Sequence, residues 1–174
     1  MKTIRFILSV LVIAAITHGA LLYLGPSLIM STAMGRMSAA AGGVNAILHA
    51  PRPTAANDSI VRSSPDLLYS VCVYDVSEKP LRIKGDVPPG TYWSASFYDM
   101  NTNNYRVIND AQVPSGAFVL VLSKPGAAPL ESAGAEALAS PTTRGLILFR
   151  TLVSSDARQS ELDAARRETD CRPL

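Results

Sequence analysis

The chain has 174 residues, with 48% hydrophobic and 17% charged side chains, which is enough for one globular domain plus a non-globular segment and excludes two full domains. Its formal net charge of +2 is carried by Lys2 and Arg5, because the other 14 of 16 Lys and Arg are balanced by 14 Asp and Glu. A neutral domain gives no electrostatic reason to expect nucleic acid as a partner.

Between Arg5 and Arg36 there is no Asp, Glu, Lys or Arg. Within that stretch Phe6 to Leu24 reads FILSVLVIAAITHGALLYL, which as a helix is about 28 Å long, close to the hydrocarbon thickness of a bilayer. Gly25-Pro26 is expected to stop it. Lys2 and Arg5 precede the span and no cation follows before Arg36, so the positive-inside rule puts the N-terminus in the cytoplasm and the rest of the chain in the periplasm of a bacterial inner membrane. A cleaved signal peptide is the competing reading. Thr17-His18-Gly19 is a poor cleavage site, and the apolar run continues past it. A buried soluble helix is the third reading, disfavoured because the segment lacks a charged face.

The expected organisation is a start and anchor over 1–25, a small-residue-rich tether or juxtamembrane helix over 26–59, and a β domain over 60–174. Met34, Met37, Val44 and Ile47 lie loosely at helical spacing in the second part, Gly42-Gly43 weakens a helix there, and Pro51-Arg52-Pro53 is extended. From Leu67 onward six runs read as strands: Leu67 to Val76, Leu81 to Lys84, Thr91 to Tyr98, Tyr105 to Ile108, Ala117 to Ser123 and Gly145 to Val153. Turns rich in Pro, Gly, Asn and Asp separate most of them. Ala117–Ser123 and Gly145–Val153 are nearly continuous apolar runs and belong in the middle of sheets. The 127–140 segment reads as a surface loop. Ser155 to Thr169 reads as a solvated, weakly docked terminal helix with Leu162 as its large apolar contact. The fold class is therefore mainly β, a small antiparallel sandwich or jelly-roll-like domain, with an N-terminal transmembrane helix and a short C-terminal helix.

Alternation along Thr91–Tyr98 sends Trp93, Ala95 and Phe97 to one face and Tyr92, Ser94, Ser96 and Tyr98 to the other. The second face is a candidate ligand site, and its plain alternative is a half-exposed sheet surface. Cys72 and Cys171 are either a disulfide pinning the C-terminus to the sheet or two free thiols. His18 lies in the span and His49 stands alone, so no metal site and no cofactor is expected. There is no Gly-x-Ser-x-Gly, and no Ser or Cys stands at a recognised spacing from His, so an enzyme is the less favoured reading. The sequon Asn57-Asp58-Ser59 carries little meaning in a bacterial chain.

The order of motifs is more specific. Val61-Arg62-x-x-Pro65-Asp66-x-x-Tyr69-Ser70 is followed by Tyr74-Asp75-Val76-Ser77 and Pro80-Leu81, then Tyr92-Trp93-Ser94, Phe97-Tyr98-Asp99 and Asn101-Thr102-Asn103. With Ser140-Pro141-Thr142 and Leu148-x-Arg150-Thr151, this resembles the bacterial domain of unknown function 1254 over roughly residues 60–170. The resemblance implies a β-sandwich or jelly-roll-like domain that usually forms the first half of a longer protein, whose second half is another β domain, family 1214. Because this sequence stops where that second half would begin, a separately encoded companion carrying it is the expected partner. The family supplies no catalytic residues. Its recurring Asp66, Tyr69, Ser70, Asp75, Tyr92, Ser94, Asp99 and Asn103 are expected to serve turns and edges as readily as a site. The expected function is thus a non-enzymatic, membrane-anchored interaction module in the cell envelope. The alternative is a small-molecule or saccharide binder, or a hydrolase, using the Tyr92, Ser94, Ser96 and Tyr98 face.

Overall fold

A computed structural model describes residues 2–54, 63–128, 130 and 134–174. The sequon 57–59, the motif residues Val61 and Arg62, the boundary at 59/60 and part of the 127–140 loop lie outside the described residues.

The apolar N-terminal run forms one long helix, α1 (Lys2–Ala41). Pro26 lies inside it and does not stop it. A proline in a helix forfeits one backbone hydrogen bond, a local cost that packing of the following turns offsets. Met30 and Met34 are buried against Val71, Val73 and Leu146, with Met37, Tyr98, Met100 and Leu148 around them. The stop comes at Gly42, whose φ of 86° suits a residue without Cβ, while the Gly43 amide donates to the Ser38 carbonyl at 2.8 Å.

The β strands are β1 (Ile47–His49), β2 (Leu67–Asp75), β3 (Leu81–Asp86), β4 (Trp93–Asp99), β5 (Asn104–Asn109), β6 (Ala117–Ser123), β7 (Glu136–Ala139), β8 (Arg144–Leu152) and β9 (Asp170–Pro173). They form a five-stranded sheet in the order β1-β2-β8-β4-β5 and a four-stranded sheet in the order β7-β6-β3-β9. All pairs are antiparallel except β6 with β7. The domain is mainly β, with a long apolar helix before the sheets and a short helix, α2 (Asp156–Arg167), near the C-terminus. The three strands beyond the six expected, β1, β7 and β9, are three or four residues long and lie on sheet edges.

Between the sheets lies one core, built from the inward residues that alternation selects. Trp93, Ala95 and Phe97 of β4 meet Ile83 of β3, and Phe118, Leu120 and Leu122 of β6. Trp93 stacks on Phe118 with ring centroids 4.9 Å apart. Cys72 on β2 and Cys171 on β9 form a disulfide between the two sheets, with Cα atoms 6.6 Å apart. The outer face of the five-stranded sheet is where α1 docks. Residues 27–41 span about 21 Å of helix, comparable to the roughly 19 Å width of five strands.

Candidate functional site

Ser94 and Ser96 point to the outer face of the five-stranded sheet, yet both are buried, because Arg150 of the neighbouring β8 reaches them. Its Nε donates to Ser94 Oγ and its second guanidinium nitrogen to Ser96 Oγ, each at 3.2 Å. No carboxylate pairs with Arg150 among the described residues. Tyr98, two residues further along, packs in the cluster beneath α1. Tyr92 is 40% exposed and lines a cleft at the other end of β4. The four residues that alternation placed on one face are therefore divided between a helix interface, an arginine platform and a cleft.

The remaining motif residues hold the fold. Asp99 Oδ1 accepts the Asn101 and Asn103 amides at 2.8 and 2.9 Å, and Oδ2 accepts Asn103 Nδ2 at 3.0 Å, which closes the β4–β5 turn. α1 touches that turn where the Ser27 hydroxyl donates to Asn101 Oδ1 at 2.7 Å. Asp75 accepts the Ser77 amide and hydroxyl and pairs with Arg144. Tyr69 Oη accepts the Ser64 amide at 2.9 Å. The Asp66 carbonyl takes the Val153 amide at 2.8 Å. Tyr74, Tyr105 and Ser140 share a hydroxyl network, and burial raises both phenols above their ordinary range.

A serine and a histidine do come together, at a spacing no sequence signature would flag. His49 Nδ1 lies 2.8 Å from Ser70 Oγ, across the β1–β2 register. Ser70 is 1% exposed, and its oxygen also faces the Arg166 guanidinium at 3.3 Å. Held between His49 and the Arg166 guanidinium, this hydroxyl forms a structural staple that ties β1 and β2 to α2. Arg166 completes it, donating to the Tyr69 carbonyl at 2.7 Å, the Ala50 carbonyl at 2.9 Å and Asp163 at 2.6 Å. Its burial is the finding that sequence reading missed, since an arginine in a charged terminal helix reads as solvated. α2 is thus held by a network of charge-assisted bonds in addition to Leu162.

Among the described residues no cluster of His, Cys, Asp or Glu is arranged to hold a metal ion.

The cleft that Tyr92 lines opens between the β3–β4 and β5–β6 loops and has a volume of about 400 Å³. Pro88, Pro89 and Pro114 form its walls, and Asp110 lines it as well. Side-chain bonds help fix the β3–β4 loop: Thr91 Oγ1 donates to the Leu152 carbonyl at 2.6 Å, and Arg158 donates to the Pro89 and Gly90 carbonyls, each at 3.3 Å.

A two-sheet sandwich with a helix laid over one outer face and a disulfide joining the sheets defines the class of protein. The chain belongs to the family described as "Protein of unknown function (DUF1254)", whose model matches residues 44–173. It is similar in structure to the VPA0106 protein from Vibrio parahaemolyticus, with a TM-score of 0.60 and 15% identity over 64% of this chain and 29% of that one. It is also similar to an uncharacterised protein from Burkholderia cenocepacia, with a TM-score of 0.52 and 18% identity over 81% of this chain and 38% of that one. The match therefore spans about a third of the length of each solved structure, and at these identities the likeness concerns the fold alone. No curated protein matches.

Proposed function

We propose that this protein is a single-pass module of the bacterial inner membrane, with its N-terminus in the cytoplasm and its β domain in the periplasm, where it pairs with a companion β domain such as that of family 1214. The observation that carries the anchor is the division of α1. Its apolar side chains from Ile4 to Leu24 are exposed, while Met30 and Met34 are buried on the domain. A helix apolar all round and packed on nothing is stable in lipid and not in water. The cations at Lys2 and Arg5, with none between them and Arg36, favour the stated orientation. Since residues 27–41 belong to the fold, the domain sits directly at the membrane surface.

For pairing, the relevant region is the part of the outer sheet face around Arg150 that α1 does not reach. Outside α1, only Val44, Tyr92, Leu130 and Leu174 are exposed large apolar residues among the described ones, so recognition there is polar. A half-buried guanidinium held, among the described residues, by two hydroxyls is suited to receive a partner's carboxylate. The solved relatives carry this fold within much longer chains, which is consistent with a neighbouring domain as its ordinary context.

Two measurements test the reading. Protease added to spheroplasts should remove a tag fused after Leu174, and the N-terminal peptide should be recovered uncleaved by mass spectrometry. Extraction in mild detergent should co-purify a second β protein from wild type and lose it from Arg150→Gln. A mature chain starting within or after the apolar run, or protein recovered alone at full yield, overturns the proposal.

A further inference from the structure

Asp110 is half-buried, and its carboxylate has no ion pair or hydrogen bond among the described residues. The usual explanation for such a residue, capping a turn, is already taken by its neighbour, because Asn109 Oδ1 accepts the Ala111 amide at 3.1 Å and the Gln112 amide at 3.3 Å. The Asp110 backbone is held in place, its amide donating to the Trp93 carbonyl at 3.3 Å. An acceptor left without a role therefore lines a cleft of about 400 Å³ beside a 40% exposed tyrosine ring and proline walls.

We propose that this cleft is a binding site for an organic cation, a ligand with an ammonium group on an apolar body. Asp110 supplies the counter-charge. Tyr92 supplies an aromatic ring for the ammonium, and Pro88, Pro89 and Pro114 receive the apolar body. The volume falls in the range of small-ligand sites, about 300–1,000 Å³. The walls are preformed. Gly116, at φ 78°, lies so close to the Val87 carbonyl that any side chain there would collide with it, which keeps the two loops in register. The cleft opens at the start of β4, one strand length, about 20 Å, from the β4–β5 turn that α1 touches. A ligand reaches it without passing the helix. This site does not depend on the anchoring or pairing proposed above.

The molecule carries its own reporter, since Trp93 is the single tryptophan and lines the cleft. Titration of the full-length, detergent-solubilised protein with benzyltrimethylammonium should give a saturable change in tryptophan emission, and benzyl alcohol, which lacks the charge, should not. Asp110→Asn preserves shape and should weaken the cation about tenfold, as expected for loss of one charge partner, and Tyr92→Leu should weaken it as well. No saturable change with wild type, an equal response to benzyl alcohol, or Asp110→Asn binding as wild type would each overturn the proposal. The comparison of the two probes on wild type holds even if a variant fails to fold.

Discussion

His49 sits on an edge strand beside the buried Arg166 guanidinium, and its protonation is opposed first by burial and then by the positive charges of Arg166 and Arg167, with Asp163 pulling weakly the other way. Its pKa is lowered from 6.5 in the folded state. The sign of the consequence follows from linkage. Below pH 6.5 the unfolded chain takes up a proton that native His49 refuses, so stability falls as pH drops from 6.5 toward the depressed value and levels off beneath it. Chemical unfolding of the solubilised protein at pH 7.5, 6.5 and 5.5 should show this slope, and His49→Gln, which keeps a partner for Ser70, should flatten it. An unchanged slope in that variant would mean other groups control the acid limb. Asp163 acts lower: burial opposes its charge, but hydrogen bonds from Arg167 and Arg166 outweigh it and lower its pKa below 3.8, so its contribution is lost only in stronger acid. None of this is legible locally, since His49, Ser70 and Arg166 are far apart in the chain and none belongs to a periodic pattern that would place it in a core.

The element that departs furthest from expectation is α1. Its apolar length was plain in the sequence, but Gly25-Pro26 reads as a stop, and the helix runs through it to Ala41. What extends it is the outer face of a sheet built mainly from strands that begin at Leu67 or later, a surface no window of sequence contains. Met30, Met34, Met37 and Met100, every methionine beyond the first, meet there. Methionine suits such a seam because its unbranched, polarisable side chain conforms to an irregular partner. Met34→Ala should destabilise the domain by about 2–5 kcal/mol, the range for truncating a fully buried methionine, read as a lowered denaturation midpoint in detergent. A loss of less than about 1 kcal/mol would mean that the helix rides on the sheet without stabilising it. The strands divide the same way. The six found by pattern carry alternating or continuous apolar residues, whereas β1, β7 and β9 are short edges whose extended state is set by the neighbour they bond.

Across the whole molecule, the Cys72–Cys171 disulfide crosses the core from the five-stranded sheet to the four-stranded one, closing a loop with a sequence separation of 99. A loop of that size is expected to contribute roughly 4–5 kcal/mol by restricting the unfolded chain. Reduction, or Cys171→Ser, should lower the denaturation midpoint accordingly, most visibly in β9, whose pairing with β3 ends at Pro173. A midpoint insensitive to reductant would show that the sheets hold without it. Arg106 of β5 and Glu136 of β7 link the same two sheets along their other edge.

Periodicity, turn residues and the placement of charge by themselves determined the apolar helix, the six principal strands and the inward set Trp93, Ala95 and Phe97, because each is written in residues close together along the chain, while the order of motifs along the domain carried the resemblance to the family. Tertiary structure alone decided that Ser94 and Ser96 serve Arg150, that Arg166 is buried, that α1 closes over a sheet and that Asp110 is left without a partner among the described residues. Those outcomes depend on which side chains from distant segments arrive at one place, and on the low polarity they meet there, which no local pattern encodes.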